Sequence, residues 1–207
     1  MEIYTTENEQ IDAIKCFFIN NAKALVIWLV VGVSAIITWN YWQSYQTNNL
    51  QKSAQIFEQI SSQLQTGSKQ ALTSGKQFAN ETNNIYGVLI NIELAKIAVE
   101  KSDIIGAEKA LLNALDKAKL DDLKDLINIR LARVQLDLNK TDQALITLTQ
   151  VHNKGWSMIV EDIRGNVLLK KGDIAGARAA YSKGIESSGS EIMKAILKIK
   201  INSSLLN

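Results

Sequence analysis

The chain of 207 residues contains no proline, one cysteine and one histidine. Proline breaks helices, and stretches of alternating β-branched residues are also scarce, so the two features together predict helix throughout. The single cysteine, Cys16, cannot form a disulfide within the chain. One cysteine and one histidine cannot make a zinc site either, and the sequence contains no glycine-rich phosphate-binding motif.

Charge is also limited. The net charge is +2, and the basic residues are spread along the chain. Nucleic-acid binding needs a basic patch, so we expect no nucleic-acid partner. His152 lies beside a predicted turn without a nucleophile near it, and the pair Asp121-Asp122 is typical of a helix start. We therefore predict a protein that is not an enzyme and has no cofactor or metal.

The longest apolar run is ALVIWLVVGVSAIITWNYW, residues 24–42, and it contains no charged residue. These 19 residues would reach about 28 Å as a helix, close to the ~30 Å hydrocarbon core of a bilayer. Trp39, Tyr41, Trp42 and Tyr45 gather at one end, where aromatic rings favour the headgroup layer. The run predicts one transmembrane helix in contact with the lipid bilayer.

The run is longer than a signal-peptide core and ends in bulky aromatics, so we interpret it as an uncleaved anchor. Lys15 and Lys23 precede it, and only Lys52 follows nearby. The positive-inside rule then places the N-terminus in the cytoplasm and the large domain on the exported side of the membrane. We expect a cytoplasmic tail with a short amphipathic helix over 1–23, the span over 24–42 and the exported domain over 43–207.

Small residues inside the span offer a surface for packing against another membrane helix. They are Gly32, Ser34, Ala35 and Thr38.

Beyond the span the chain repeats itself. Ala107, Ala144 and Ala177 each follow a polar turn, and the steps between them are near 34 residues, as in tetratricopeptide helix pairs. Twelve residues before each alanine stands a small residue, and four after it a large one: Ala95, Ala132 and Gly165, then Leu111, Leu148 and Tyr181. We predict an all-α fold: a transmembrane helix, a tetratricopeptide-like solenoid, and a C-terminal capping helix from Ser190 with Ile192, Ile196, Ile199 and Leu206 on one side. The turn aspartates Asp103, Asp142 and Asp173 are expected to cap the second helix of each pair.

Stacked helix pairs form a concave face lined by the first helix of each pair. The repeat frame predicts that the following residues line a mainly apolar partner-binding groove: Leu89, Ile92, Lys96, Val99, Leu126, Ile129, Arg133, Leu136, Ile159, Asp162, Asn166 and Leu169. Such a groove suits a hydrophobic segment or helix. The alternative is that another helix of the same chain, either the capping helix or the helix leaving the membrane, fills it.

Several blocks resemble one bacterial family. They are the opening MEIYTTENEQ, the pair Phe17-Phe18, the W-x-Y-W of Trp39–Trp42, INIRLARVQL (127–136) and the long segment 155–181. The chain is similar along essentially its whole length to the YfgM family of inner-membrane proteins. The resemblance implies that the domain over 43–207 is a periplasmic tetratricopeptide-like domain. The resemblance implies an ancillary subunit of the Sec translocon that works beside a PpiD-like membrane-anchored periplasmic chaperone on exported client proteins.

Two hypotheses follow. In the first, the chain is a membrane-anchored interaction module that binds partners through its groove. In the second, it is a structural or regulatory tether whose association with a membrane partner runs mainly through the span.

Overall fold

The structure, a computed structural model, describes residues 7–65 and 68–204, and the backbone alone for residues 7–10, 13 and 25. Glu2 in the predicted tail, Gly67 and the predicted capping-helix residue Leu206 lie outside the described residues. Within these ranges the chain forms helices and turns, with no β-strand. The α-helices are α1 (Glu7–Leu64), α2 (Lys69–Glu81), α3 (Ile85–Glu100), α4 (Ile104–Lys117), α5 (Asp121–Asp137), α6 (Thr141–Thr149), α7 (Ser157–Lys170), α8 (Ile174–Glu186) and α9 (Glu191–Ser203).

The chain divides into two compact units, Met1–Lys52 and Ser53–Asn207. In the first unit α1 is continuous where the sequence predicted a separate short helix before the span. The large apolar side chains from Val26 to Trp42 are exposed, and the most apolar 18-residue window of this helix is 0% buried. Among the described residues, this is the one helix long and apolar enough to cross a membrane.

The core of the second unit consists of hydrophobic clusters, and each cluster is formed by helices that follow one another in the chain. The end of α1 packs Ile60 and Leu64 against α2 and α3. Further clusters join α3 with α4 and α5, α5 with α6 and α7, and α7 with α8 and α9. Contact mainly with chain neighbours is the packing of a solenoid, which confirms the predicted fold class.

The predicted repeat frame matches the burial of its residues. The three alanines of the second helices, Ala107, Ala144 and Ala177, are fully buried, and the large residues four positions on are at most 1% exposed. Small residues on the first helices let the second helices approach closely. Gly165 is the tightest case, because a Cβ there would lie 2.2 Å from Cε1 of Tyr181.

Each pair turns through the same backbone geometry. Ser102, Asn139 and Gly172 have φ values of 60°, 61° and 82°, in the left-handed region. After α3, the N–H of Asp103 donates to the carbonyl of Ala98 and the N–H of Ser102 to that of Val99, and the other two turns repeat both bonds. This is the Schellman arrangement, which satisfies the last carbonyls of a helix.

The positive φ at Ser102 and Asn139 predicts that glycine at these positions would stabilise the fold. Serine in the left-handed region is strained, so we expect Ser102→Gly to raise the free energy of unfolding by about 0.5–1 kcal/mol. Asn139→Gly should gain less, because asparagine tolerates this region. Denaturant unfolding followed by circular dichroism measures both. As the control, Gly172→Ala should lose about 1 kcal/mol, since nothing lies within 4 Å of the added Cβ and only the backbone is strained. A loss of stability in Ser102→Gly would contradict the argument.

The predicted aspartate caps are right at two turns and wrong at the third. Asp103 and Asp173 accept hydrogen bonds from the N–H groups of Gly106 and Gly176, at 2.9 and 2.8 Å. Asp142 lies two residues later in the repeat frame, inside the first turn of α6, so it cannot cap that helix. Its carboxylate instead pairs with Lys171, 2.5 Å away, and so joins α6 to the end of α7.

The C-terminal helix packs by a face other than the predicted one. Leu197 is fully buried, with Met193 and Ile201 beside it, against α7 and α8. Gly184 on α8 leaves space for the Leu197 side chain, because a Cβ at position 184 would lie 2.8 Å from Cδ1 of Leu197. Ile192, Ile196 and Ile199 are exposed. The prediction of a helix at this position is therefore confirmed, and the isoleucine side is not its packing face.

Candidate protein-interaction surface

The predicted groove positions divide into inner and outer ones. Counting from the small residue of each first helix, the residues three positions back are buried: Ile92, Ile129 and Asp162. Ile92 and Ile129 belong to core clusters. The residues six positions back, Leu89, Leu126 and Ile159, are half-buried. These positions support the repeats and offer little surface to a partner.

The outer positions lie toward the ends of α3, α5 and α7. Lys96, Val99, Arg133 and Leu169 are exposed, and Leu136 is half-buried. Lys96 lies 3.8 Å from Glu100, in an exposed pair that contributes little. Arg133 makes no ion pair or hydrogen bond within the described residues and is available to an acidic group. The accessible part of this face therefore combines aliphatic side chains with two cations.

The third repeat is different, because its polar groove residues form hydrogen bonds to α9. Lys200 donates to the carboxylate of Asp162 and, at 3.0 Å, to Oδ1 of Asn166. The hydroxyl of Tyr181 donates to the same oxygen at 2.9 Å. The Lys200 ammonium also lies 5.6 Å from the centre of the Tyr181 ring. Two predicted groove residues thus bond to the chain's own C-terminal helix.

These contacts shape the titration of Tyr181. Burial, and after it the charge of Asp162, raises the pKa of the Tyr181 phenol above its ordinary value of 10.0. The neutral phenol is therefore favoured in the folded state. Its contribution to stability is complete below pH 10 and is lost as the pH rises through the raised pKa.

We expect Tyr181→Phe to separate the contribution of the hydrogen bond to Asn166 from the effect of phenol ionisation. At pH 8 the variant should be less stable by about 0.5–1.5 kcal/mol, because it loses the bond to Asn166. Above pH 10 the difference from the unmodified chain should shrink, since phenylalanine has no proton to lose. Thermal unfolding of both chains at pH 8 and pH 10.5 measures the change, and a difference that stays constant would contradict it.

The small residues of the predicted span lie on an exposed part of α1. Ser34, Ala35 and Thr38, together with Trp39 and Trp42, line a shallow notch. The Thr38 hydroxyl donates to the carbonyl of Ser34 at 2.8 Å, so its hydrogen bond is satisfied within the helix. A Cβ at Gly32 would meet nothing within 4 Å. A close helix on this surface would leave the hydrogen bond of the Thr38 hydroxyl in place.

Sequence reasoning missed the buried and half-buried charges that join neighbouring helices. Asp125, on α5, accepts from the N–H groups of His152 and Asn153 and holds the loop before α7. Lys117 donates to the carbonyls of Ala79 and Asn80 at 2.5 and 2.8 Å and closes the end of α2. The partners of these charged residues could not be predicted from local sequence patterns, because they lie 27 to 38 residues away. No group of three His, Cys, Asp or Glu in the described ranges could hold a metal.

Comparison with known proteins identifies the family. A tetratricopeptide repeat-like domain family matches residues 15–205. The ancillary SecYEG translocon subunit of Escherichia coli strain K12 is 38% identical over 202 residues, which cover 98% of each chain. This chain belongs to the family of ancillary SecYEG translocon subunits. Subunits of the same name from Aggregatibacter actinomycetemcomitans and Haemophilus influenzae are 32% and 27% identical over 96% of this chain and 98% of theirs.

Among solved structures, a thermophilic TPR protein of Thermus thermophilus is 20% identical, with a TM-score of 0.49, over 73% of this chain and 80% of its own. The fold assignment rests on the helix packing described above and on the family match.

Proposed function

We propose that this chain is a membrane-anchored, non-catalytic interaction module that serves as an ancillary subunit of the Sec translocon in the bacterial inner membrane. The observation that carries the proposal is the similarity over 98% of both chains to a protein of that name. A match of this extent includes the apolar helix as well as the helical repeats, so the anchor and the interaction domain are compared together.

In this proposal the N-terminus is cytoplasmic and the repeat domain is periplasmic. Lys15 and Lys23 before the span support that orientation. The absence of cysteine after Cys16 suits an oxidising compartment, because the domain has no thiol to oxidise. A PpiD-like chaperone and exported clients are the proposed partners of the domain.

The accessible outer positions are the proposed contact surface. Val99, Leu136 and Leu169 supply aliphatic area, and Arg133 supplies a charge without a partner in the described residues. A partner segment with an apolar side and an acidic group fits this combination.

Photocrosslinking in cells tests the surface. A photoreactive residue at Val99, Arg133 or Leu169 should crosslink to a translocon subunit or to a periplasmic chaperone. Ile105, on α4, is a matched control because it is apolar and 72% exposed but lies on a second helix. Equal crosslinking from Ile105, or none from the outer positions, would contradict binding at this surface. Ile129 is not a suitable site, because a change in the core would disturb the fold.

The notch on α1 favours a second candidate, the tether. If association runs mainly through the span, Ser34→Leu with Ala35→Leu should fill the notch and abolish capture of the translocon. Arg133→Glu would then leave capture unchanged. The opposite result assigns the contact to the repeat domain.

A further inference from the structure

The outer face of α9 is apolar where a solenoid needs a polar cap. Ile192, Ile196 and Ile199 are 76%, 42% and 67% exposed. They follow at spacings of four and three, so they form one stripe along the helix. The terminal element of a repeat array normally presents a polar outer face to keep the array soluble. An exposed isoleucine stripe at this position indicates a surface that another molecule covers.

The charges beside the stripe differ at its two ends. Glu191 and Lys198 are seven residues apart, two turns along the same side of α9. Glu191 accepts from Lys194 at 2.8 Å, and this hydrogen bond together with the nearby lysines lowers the pKa of the carboxyl, so it is charged at neutral pH. Lys198 is exposed. One edge of the stripe is therefore acidic at its start and basic at its end.

We propose that α9 binds α9 of a second copy of this chain, antiparallel and through the isoleucine stripe. About a twofold axis between Ala195 and Ile196, Ile192 of one copy faces Ile199 of the other. Glu191 of one copy then lies beside Lys198 of the other, offset by two residues or about 3 Å along the helix. A parallel pair would instead place Ile192 beside Ile192 and Ile199 beside Ile199.

A second copy fits this face better than a lipid surface does. Helices that lie on anionic membranes carry a uniformly basic polar face. Here Lys200 is paired with Asp162. Lys194 is paired with Glu191, whose carboxylate is 84% exposed and can accept from a second lysine. The edge that remains is self-complementary in charge.

The stripe is shorter than a standard interface, which buries about 800 Å² on each partner. We therefore expect a weak dimer in dilute detergent solution and a populated one in the membrane. Confinement to one bilayer raises the effective concentration of the chains, a step that rests on the membrane anchoring in the proposed function.

Cysteine crosslinking tests the pairing and its direction in the full chain. With Cys16→Ser as background, Ala195→Cys should crosslink to itself in membranes with a short bismaleimide. Ile192→Cys and Ile199→Cys should each crosslink poorly alone and efficiently when the two variants are coexpressed. Crosslinking of Ile192→Cys to itself would indicate a parallel pair and overturn the proposal, as would adducts to a different protein at position 195. Ile105→Cys is the exposed control and should give no dimer.

Charge and apolar variants give a second readout. Ile199→Asp should lower the crosslinked fraction at position 195 about tenfold, whereas the matched change Ile105→Asp should leave it unchanged. Glu191→Lys and Lys198→Glu should each weaken the crosslink, and the double exchange should restore it. If Ile199→Asp has no effect, the stripe is not the interface. This outcome leaves the proposed translocon role intact, because that role is tested at Val99, Arg133 and Leu169.

Discussion

We expect Gly165→Ala to lower the free energy of unfolding by about 2–3 kcal/mol. The added Cβ would lie 2.2 Å from Cε1 and 2.7 Å from Cζ of Tyr181. The ring is fully buried, and its hydroxyl bonds to Asn166, so it cannot move aside without losing other contacts. Denaturant unfolding followed by circular dichroism measures the loss.

The other repeats provide the compensating change. They pair an alanine with a leucine where the third repeat pairs Gly165 with Tyr181. Gly165→Ala with Tyr181→Leu installs the pairing of the first two repeats and should recover most of the lost stability. The residual deficit should be about 0.5–1.5 kcal/mol, for the missing bond to Asn166. If the two changes are additive, the steric argument is wrong, because residues in contact should couple.

We expect Val30→Arg with Ile36→Arg to release the chain from the membrane. Each arginine near the centre of a span costs about 2.5–3.5 kcal/mol of insertion free energy, so the two cost about 5–7 kcal/mol. The measurement is the fraction of the protein that stays in the membrane pellet after an alkaline wash.

The matched control places the same changes on the repeat domain. Ile105 and Ile146 are exposed isoleucines on α4 and α6, and arginine at both should leave the pelleted fraction unchanged. Circular dichroism and limited proteolysis of the released variant establish that its repeat domain is still folded. Retention of the Val30/Ile36 variant in the pellet would show that residues 24–42 are not the anchor.

The architecture was readable from the sequence because its signals are periodic or long. An uncharged run of 19 residues is rare outside membranes. The small residues at Ala95, Ala132 and Gly165 recur because every helix pair meets the same steric demand. Both kinds of signal depend on local chain geometry, and the structure bears out the all-α repeat fold.

The tertiary structure decided which of several apolar faces is used. The helix α9 carries two stripes at the same spacing, one with Met193 and Leu197 and one with Ile192 and Ile196, and periodicity cannot rank them. The gap at Gly184 selects Leu197, so the isoleucines are left outside. Likewise Lys200 reaches Asp162 across 38 residues, a pairing that no local pattern encodes. The sequence alone determined the period, the long apolar run and the small residues, whereas long-range packing determined which side chains are free to meet a partner.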